Sequence, residues 1–384
     1  MHLMHKVTLK SGPLGATNPL DFQPATVNLF VGPNNSGKSL FLREISQFAI
    51  EGTVRQNSLV LAACQFKDLD EATRTVITEK LHQQPLRGQV LPPNHIMVGR
   101  RHDRTQVEKR QFDAWMANLN QHMQHAGPHI VRYLLLSLDG SNRLALLQDQ
   151  DRGDLLQPPE NLLSSLFRDD SKRREVRRII YDAFGRYFVI DPTPAKTLRV
   201  RFSDKEPSSH VERSFDEESL AFHSAAEPIT QTSDGIRAFS GMVAAVIEGD
   251  PRIILLDEPE AFLHPALSNK LAKALCEKAR QNEQQLFVAT HSASFLMGCV
   301  QTGIDLNIIR LTFRDGIATS RLLPSSKIIP LMRDPLLRST GVLEGLFDES
   351  VVVTEGDMID VCTMRSIIVL VVLVRLIASR TAFF

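Results

Sequence analysis

The chain has 384 residues, with 44 Lys and Arg against 44 Asp and Glu, so its formal net charge is zero. That length suits two or three domains of ordinary globular composition, and a neutral total leaves only local patches to argue for a polyanionic partner. Cys64, Cys276, Cys299 and Cys362 show no CxxC spacing, which argues against a disulfide frame or zinc site and for reduced intracellular thiols. In chain order, "KVTLKSG" and "DFQPATVNLF" read as strands joined by a Gly/Pro/Asn loop. Val27, Leu29 and Val31 alternate before a Gly-rich turn, and Leu40, Ile45 and Phe48, with Phe41 beside them, then recur at helical spacing. From 66 to 230 the pattern changes. "DEATRTVITEKLHQQ", "TQVEKRQFDAWMANLNQHMQHAG" and "SKRREVRRIIYDAFGRYF" predict amphipathic helices, and "TLRVRFSD" predicts a strand. "VRYLLLSLDGSNRLALLQD" predicts a hairpin turning at Asp139-Gly140. The chain then returns to a helix opening at "TSDGIRAF", a buried strand "RIILLDEPE", a helix "PALSNKLAKALCEKARQN" and a strand "QQLFVATHS". Strand–helix–strand units of this length predict an α/β protein with a parallel sheet.

The chemistry lies at the strand ends. "GPNNSGKS", Gly32–Ser39, satisfies G-x-x-x-x-G-K-[ST] between a strand and a helix, the P-loop NTPase pattern. Its glycines let backbone N–H groups curl around phosphate oxygens, and the helix N-terminus adds its positive end. Gly32, Asn34, Asn35, Ser36 and Gly37 form the cradle. Lys38 would reach the β- and γ-phosphates of ATP, and the Ser39 hydroxyl would ligate Mg²⁺. "IILLDEPE" delivers Asp257 at the end of a buried strand, placed to hold Mg²⁺ through its water shell, with Glu258 next to it free to orient or deprotonate water. His291, after the third strand, is placed to sense the γ-phosphate. Ser233 is a good N-cap for the helix at "TSDGIRAF", and that helix terminus can also offer a phosphate site to another subunit's nucleotide.

Taken together these motifs resemble the ABC-type ATPases, and within them most closely the OLD family (overcoming lysogenization defect), ATPases coupled to a Toprim nuclease domain. The resemblance makes "GPNNSGKS" the Walker A motif and "SDGIRAF" the signature, with Ser233 and Gly235 as phosphate contacts. It makes "IILLDEPEAFLHP" the Walker B motif with its following Leu263-His264-Pro265, and His291 the switch histidine. "VVVTEGDMID" resembles the first strand and acidic turn of a Toprim domain, with Glu355 as its first catalytic, metal-binding carboxylate. The implied fold is an ABC-ATPase head: a mixed, mostly parallel sheet split by a helical α+β insertion. The expected divisions are 1–65 with the Walker A motif, 66–230 as the insertion, 231–335 with signature, Walker B and switch histidine, and 336–384 as an incomplete Toprim-like start. The Q-loop glutamine stays open among Gln56, Gln65 and Gln106. No Asp-x-Asp follows Glu355, and one carboxylate cannot assemble a two-metal site, so ATP hydrolysis is expected of this chain and DNA cleavage is not.

The resemblance also implies a head-to-tail homodimer in which ATP on Lys38 and Ser39 of one copy is closed over by Ser233 of the other. The basic faces "SKRREVRR" and "GRRHDRTQVEKR" make DNA a candidate partner, used in antiphage defence or DNA repair. The alternative is a regulatory or scaffold ATPase whose insertion recognises a protein. In the last residues, Ile367–Ala378 is an apolar run broken by Arg375. It is short of the ~20 residues that span a bilayer, and reads either as a core strand or as a shifted, truncated frame. With no signal peptide at the N-terminus, we expect a cytoplasmic protein with no membrane partner.

Overall fold

The structure, a computed structural model, describes residues 2–85, 88–100, 103–154, 156–157, 159–249, 251–323 and 344–348. Glu355 and the apolar tail lie outside them. Six strands form the central sheet: β1 (Val27–Val31), β2 (Leu135–Leu138), β3 (Ile253–Asp257), β4 (Gln285–Ala289), β5 (Leu306–Arg314) and β6 (Ile317–Leu323), in the order β6-β5-β1-β4-β3-β2. All neighbours pair in parallel except β5 with β6. Val288 of β4 lies opposite Leu29 on one side and Leu256 on the other.

The sheet separates two apolar cores, and the strands feed both by alternation. Leu29, Val31, Ile254, Leu256, Leu286 and Val288 enter one core. Phe30, Ile253, Leu255, Phe287 and Ala289 enter the other. Burial on both faces explains why these strands read as continuous apolar runs, as parallel strands do. Behind β1, helix α1 (Lys38–Glu51) buries Phe41, Leu42, Ile45, Phe48 and Ala49; Phe41, Ile45 and Phe48 turn inward as expected, while Leu40 is only half-buried. Strands Met4–Leu9, Leu20–Phe22 and Leu61–Phe66 form an antiparallel sheet on that side. On the opposite face, α2 (Asp170–Phe184) and α3 (Asp234–Gly249) pack together, with α4 (Pro265–Gln281) against α5 (Ala293–Gln301). Among the described residues no helix is long and apolar enough to cross a membrane.

Three expectations are corrected. The hairpin at Asp139-Gly140 does not form, because Leu135–Leu138 pairs in parallel with Ile253–Leu256 and becomes the edge of the central sheet. Asp139 then closes the strand end locally: its carboxylate accepts from the backbone N–H groups of Ser141 and Asn142, and Asn142 Nδ2 donates to the Ser137 carbonyl at 3.0 Å. Such Asx geometry satisfies the turn without a returning strand. Within "TQVEKR", Thr105–Glu108 belongs to a strand paired with His95–Arg100, and the helix begins at Lys109.

The third correction concerns the basic helix. Arg173 and Arg177 do not face solvent. They converge on fully buried Glu212, with Arg173 Nε and Arg177 Nη2 at 2.7 and 2.8 Å from Oε2. The Ile190 N–H donates to its Oε1 at 3.0 Å. Arg174 and Arg178 stay exposed. Removing one partner of a buried ion pair leaves uncompensated charge. Glu212→Ala should therefore lower unfolding free energy by about 3–5 kcal/mol in denaturant titration, and Glu212→Gln, which keeps acceptor capacity, by less.

Candidate functional site

The loop after β1 depends on glycine. Gly32 has φ 141, and a Cβ there would sit 2.0 Å from the Leu311 carbonyl of neighbouring β5. Gly37 caps α1 at φ 94. Asn34 and Asn35 are exposed on the loop and Ser36 is buried. Lys38 Nζ folds back onto the loop, donating to the Gly32 and Pro33 carbonyls at 2.8 and 2.7 Å and lying 3.5 Å from Ser36 Oγ. These are neutral acceptors, which anionic phosphate oxygens outcompete for an ammonium. Burial lowers the Lys38 pKa, and Glu258, Asp257 and Glu260 oppose that shift.

Asp257 ends β3, and its Oδ1 accepts from Ser39 Oγ at 2.7 Å. The fold thus joins the two sequence motifs expected to share a metal. A hydroxyl and a carboxylate are hard oxygen donors, and Mg²⁺ characteristically takes one or two protein ligands with phosphate and water completing its shell, so the residues present fit that ion. Glu258 turns the chain out of the sheet at φ 50 while its N–H still donates to the Ala289 carbonyl at 2.8 Å. Its side chain is 43% exposed. His291 Nδ1 lies 3.5 Å from carboxylate oxygens of both Glu258 and Glu260.

Glu260 is a site residue whose role the sequence did not reveal, although it sits inside the quoted motif. It is buried, and its Oε1 accepts from Thr290 Oγ1 at 2.8 Å and from the His291 N–H at 2.9 Å. It thereby anchors the loop that carries His291, while burial raises its pKa. Arg143 is the second such residue. Its guanidinium donates to the carbonyls of Asp257 and Glu258, and the hairpin reading had hidden it.

Ser233 and Gly235 are not drawn into this cluster. Ser233 is exposed and caps α3 through a 3.4 Å bond from the Ile236 N–H, while Gly235 packs where a Cβ would meet the Phe262 carbonyl at 2.6 Å. His264 caps α4, with Pro265 in its first turn, a local stop-and-start signal. Gln56 follows α1, and Gln65 and Gln106 sit in strands outside the central sheet. The segment leaving β2, beside β3, carries Arg143.

Burial raises the Asp257 pKa, with the Ser39 hydrogen bond opposing the shift. A raised carboxyl pKa stabilises the folded state at low pH, and that contribution is lost as pH rises through the folded value. Without nucleotide, Asp257→Asn should therefore melt at or above the wild-type temperature at pH 7.5. The difference should vanish below roughly pH 4, where the native carboxyl is protonated in both states; paired thermal melts at the two pH values test this.

Over residues 133–297 the chain matches the family described as AAA domain, putative AbiEii toxin, Type IV TA system. The match spans less than half of the 384 residues and begins after the Gly32–Ser39 loop. It takes in β2, Arg143, α3, β3 and β4, so the likeness to that AAA domain is confined to this part of the chain. No curated protein matches the chain. Among solved structures, the chain is similar to an SMC head bound to the C-winged helix domain of ScpA, at 13% identity and TM-score 0.50, over 85% of this chain and 99% of that one. It also aligns with an SMC head with an extended coiled coil from Pyrococcus furiosus, bound to the C-terminal domain of ScpA, at 14% identity and TM-score 0.48, over 87% and 100% of the chains. The SMC head from Thermotoga maritima aligns at 13% identity and TM-score 0.42, over 83% and 98%. The chain thus shares the fold of that first SMC head, α/β with a mixed and mostly parallel sheet, in line with the ABC-ATPase head fold that the resemblance implied.

Proposed function

We propose that the chain binds and hydrolyses ATP, closes on ATP as a head-to-tail homodimer, and gates a DNA-directed activity of the OLD type, in antiphage defence or DNA repair. The observation that carries the ATPase reading is the 2.7 Å bond from Ser39 Oγ to Asp257 Oδ1, beside Lys38 and the Glu258–His291 pair. In this reading Lys38 exchanges its loop carbonyls for β- and γ-phosphate oxygens, and Ser39, with Asp257 through the water shell, would hold Mg²⁺. When bound, Mg²⁺ would neutralise phosphate charge. Glu258, partly solvated at the lip of the site, accepts the proton of the attacking water. His291 donates toward the transferred phosphate, and Glu260 holds it there through the His291 backbone. Exposed Ser233 and the N-terminus of α3 are available to close over the nucleotide of a partner copy.

The DNA part rests on the resemblance and on exposed Arg174 and Arg178. A second reading, an ATP-dependent regulator or scaffold that engages a protein through 66–230, gains support because Arg173 and Arg177 are spent on Glu212.

Lys38→Ala should lose nucleotide binding in a fluorescent-nucleotide titration. Glu258→Gln should bind ATP, accumulate a dimer by light scattering and hydrolyse about 10²–10⁴-fold more slowly, the range for loss of a general base; full turnover in that variant would remove Glu258 from the role. Duplex DNA should stimulate hydrolysis and bind with log K falling linearly against log salt. A stoichiometric protein complex that survives high salt, with no DNA response, would favour the scaffold reading.

A further inference from the structure

We propose, on the reading that the chain hydrolyses ATP at Glu258, that Arg143 is a positioning residue: it fixes the turn that presents Glu258 and ties that turn to the helix beginning at Ser233–Gly235. Arg143 is 4% exposed and comes from the loop that leaves edge strand β2. Its Nη1 donates to the Glu258 carbonyl and lies 3.4 Å from the Asp257 carbonyl. The guanidinium also stacks 5.5 Å from the ring centroid of Phe262. Glu258 and Phe262 have φ 50 and 70, left-handed values that non-glycine residues keep only where surroundings over-determine them. One guanidinium therefore grips both ends of the segment 258–262.

The backbone of Arg143 faces the other way. Its carbonyl packs against Gly241 in the middle of α3, where a Cβ would come within 2.9 Å of that oxygen and 3.2 Å of Leu146. The first turn of the same helix packs through Gly235 on the Phe262 carbonyl. Helix α3, Arg143 and the 258–262 turn thus form a closed circuit of contacts. A displacement of α3 when a partner's nucleotide meets Ser233 is delivered to Glu258 through Arg143 and Phe262.

The electrostatics fit the same role. Burial lowers the Arg143 pKa, and Glu260, Glu258, Asp257 and Asp139 all oppose it, so the cation is held among the acids of the site. Among the described residues its buried Nε has no hydrogen-bond partner. A buried charge with an unused donor is a poor device for stability alone, since apolar replacements of buried ions are often neutral or better.

The test uses the full chain as wild type, Arg143→Ala, Arg143→Lys, Gly241→Ala, Glu258→Gln and the Arg143→Ala/Glu258→Gln double variant. ATP affinity and steady-state hydrolysis are measured on each. Both Arg143 variants should bind ATP within about twofold of wild type, yet lose kcat by on the order of 10- to 100-fold, as misplacement of a reacting group by an ångström does. Lysine should fail to rescue because a single ammonium cannot reproduce the planar fork. Gly241→Ala should lower kcat in the same direction without touching a nucleotide-facing side chain. Arg143→Ala should add nothing to Glu258→Gln. Full kcat in Arg143→Lys, or losses that multiply in the double variant, would overturn the assignment, and full kcat in Gly241→Ala would remove the link to α3. Should Arg143→Ala melt too early to assay, Arg143→Lys and Gly241→Ala decide the question. A wild-type chain that does not hydrolyse ATP, or full turnover in Glu258→Gln, sinks the ATPase reading and this inference with it. An active wild type with unaffected Arg143 variants sinks this inference alone.

Discussion

Parallel pairing of β1, β4 and β3 brings the carboxyl ends of three strands to one edge of the sheet, and the rest of the site hangs from that edge. The register leaves little freedom. Asp257 pairs with Ala289, and Ala289 pairs with Phe30, so the loops bearing Lys38, Glu258 and His291 leave the sheet at one level. Ligands of open α/β sheets gather at such ends because backbone N–H groups and helix N-termini point there. Burial of β1 and β4 on both faces holds the level fixed: a slipped register would exchange the contents of the two cores.

That edge concentrates charge at a cost to the fold. Asp257 and Glu260 carry raised pKa values and Lys38 a lowered one, all because burial penalises their charged forms. The protein offsets this locally. Ser39 satisfies Asp257, Thr290 and the His291 backbone satisfy Glu260, and the loop carbonyls satisfy Lys38. In the proposed reading, Lys38, Ser39 and Asp257 are the groups that a nucleotide or its ion would draw away from these bonds. Glu260 differs: its partners belong to the His291 loop, which makes it part of the frame.

The segment 66–230 is continuous with that frame. It supplies β2 to the central sheet and Arg143 to the 258–262 turn, while its Glu212 cluster ties α2 to the strand Tyr187–Asp191. Apolar replacement of a whole buried ion network is often neutral, whereas removal of one partner is costly. The same two arginines belonged to one of the two basic faces that suggested DNA, and their burial on Glu212 leaves Arg174 and Arg178 as the exposed arginines of that face.

Local chemistry sufficed for much of this. The Gly-rich turn, the apolar runs ending in Asp257 and Thr290-His291, and the strand–helix–strand spacing were readable because each depends on residues within a few positions of one another. The position of Arg143, the anchoring role of Glu260 and the burial of Arg173 and Arg177 were not. Nothing near Leu135–Leu138 says that its partner is Ile253–Leu256, and a Leu-rich run ending in Asp-Gly carries an equally good hairpin signal. Nothing near "SKRREVRR" says that Glu212 waits some thirty-five positions away. Periodicity tells which side of a helix is apolar, but whether a charged side meets water or an opposite charge depends on what tertiary packing lays across it. The chain's own local order thus wrote the Gly-rich turn and the acidic strand end; their meeting at Ser39 and Asp257, and the arginine bonded to the turn beside them, required the sheet to close.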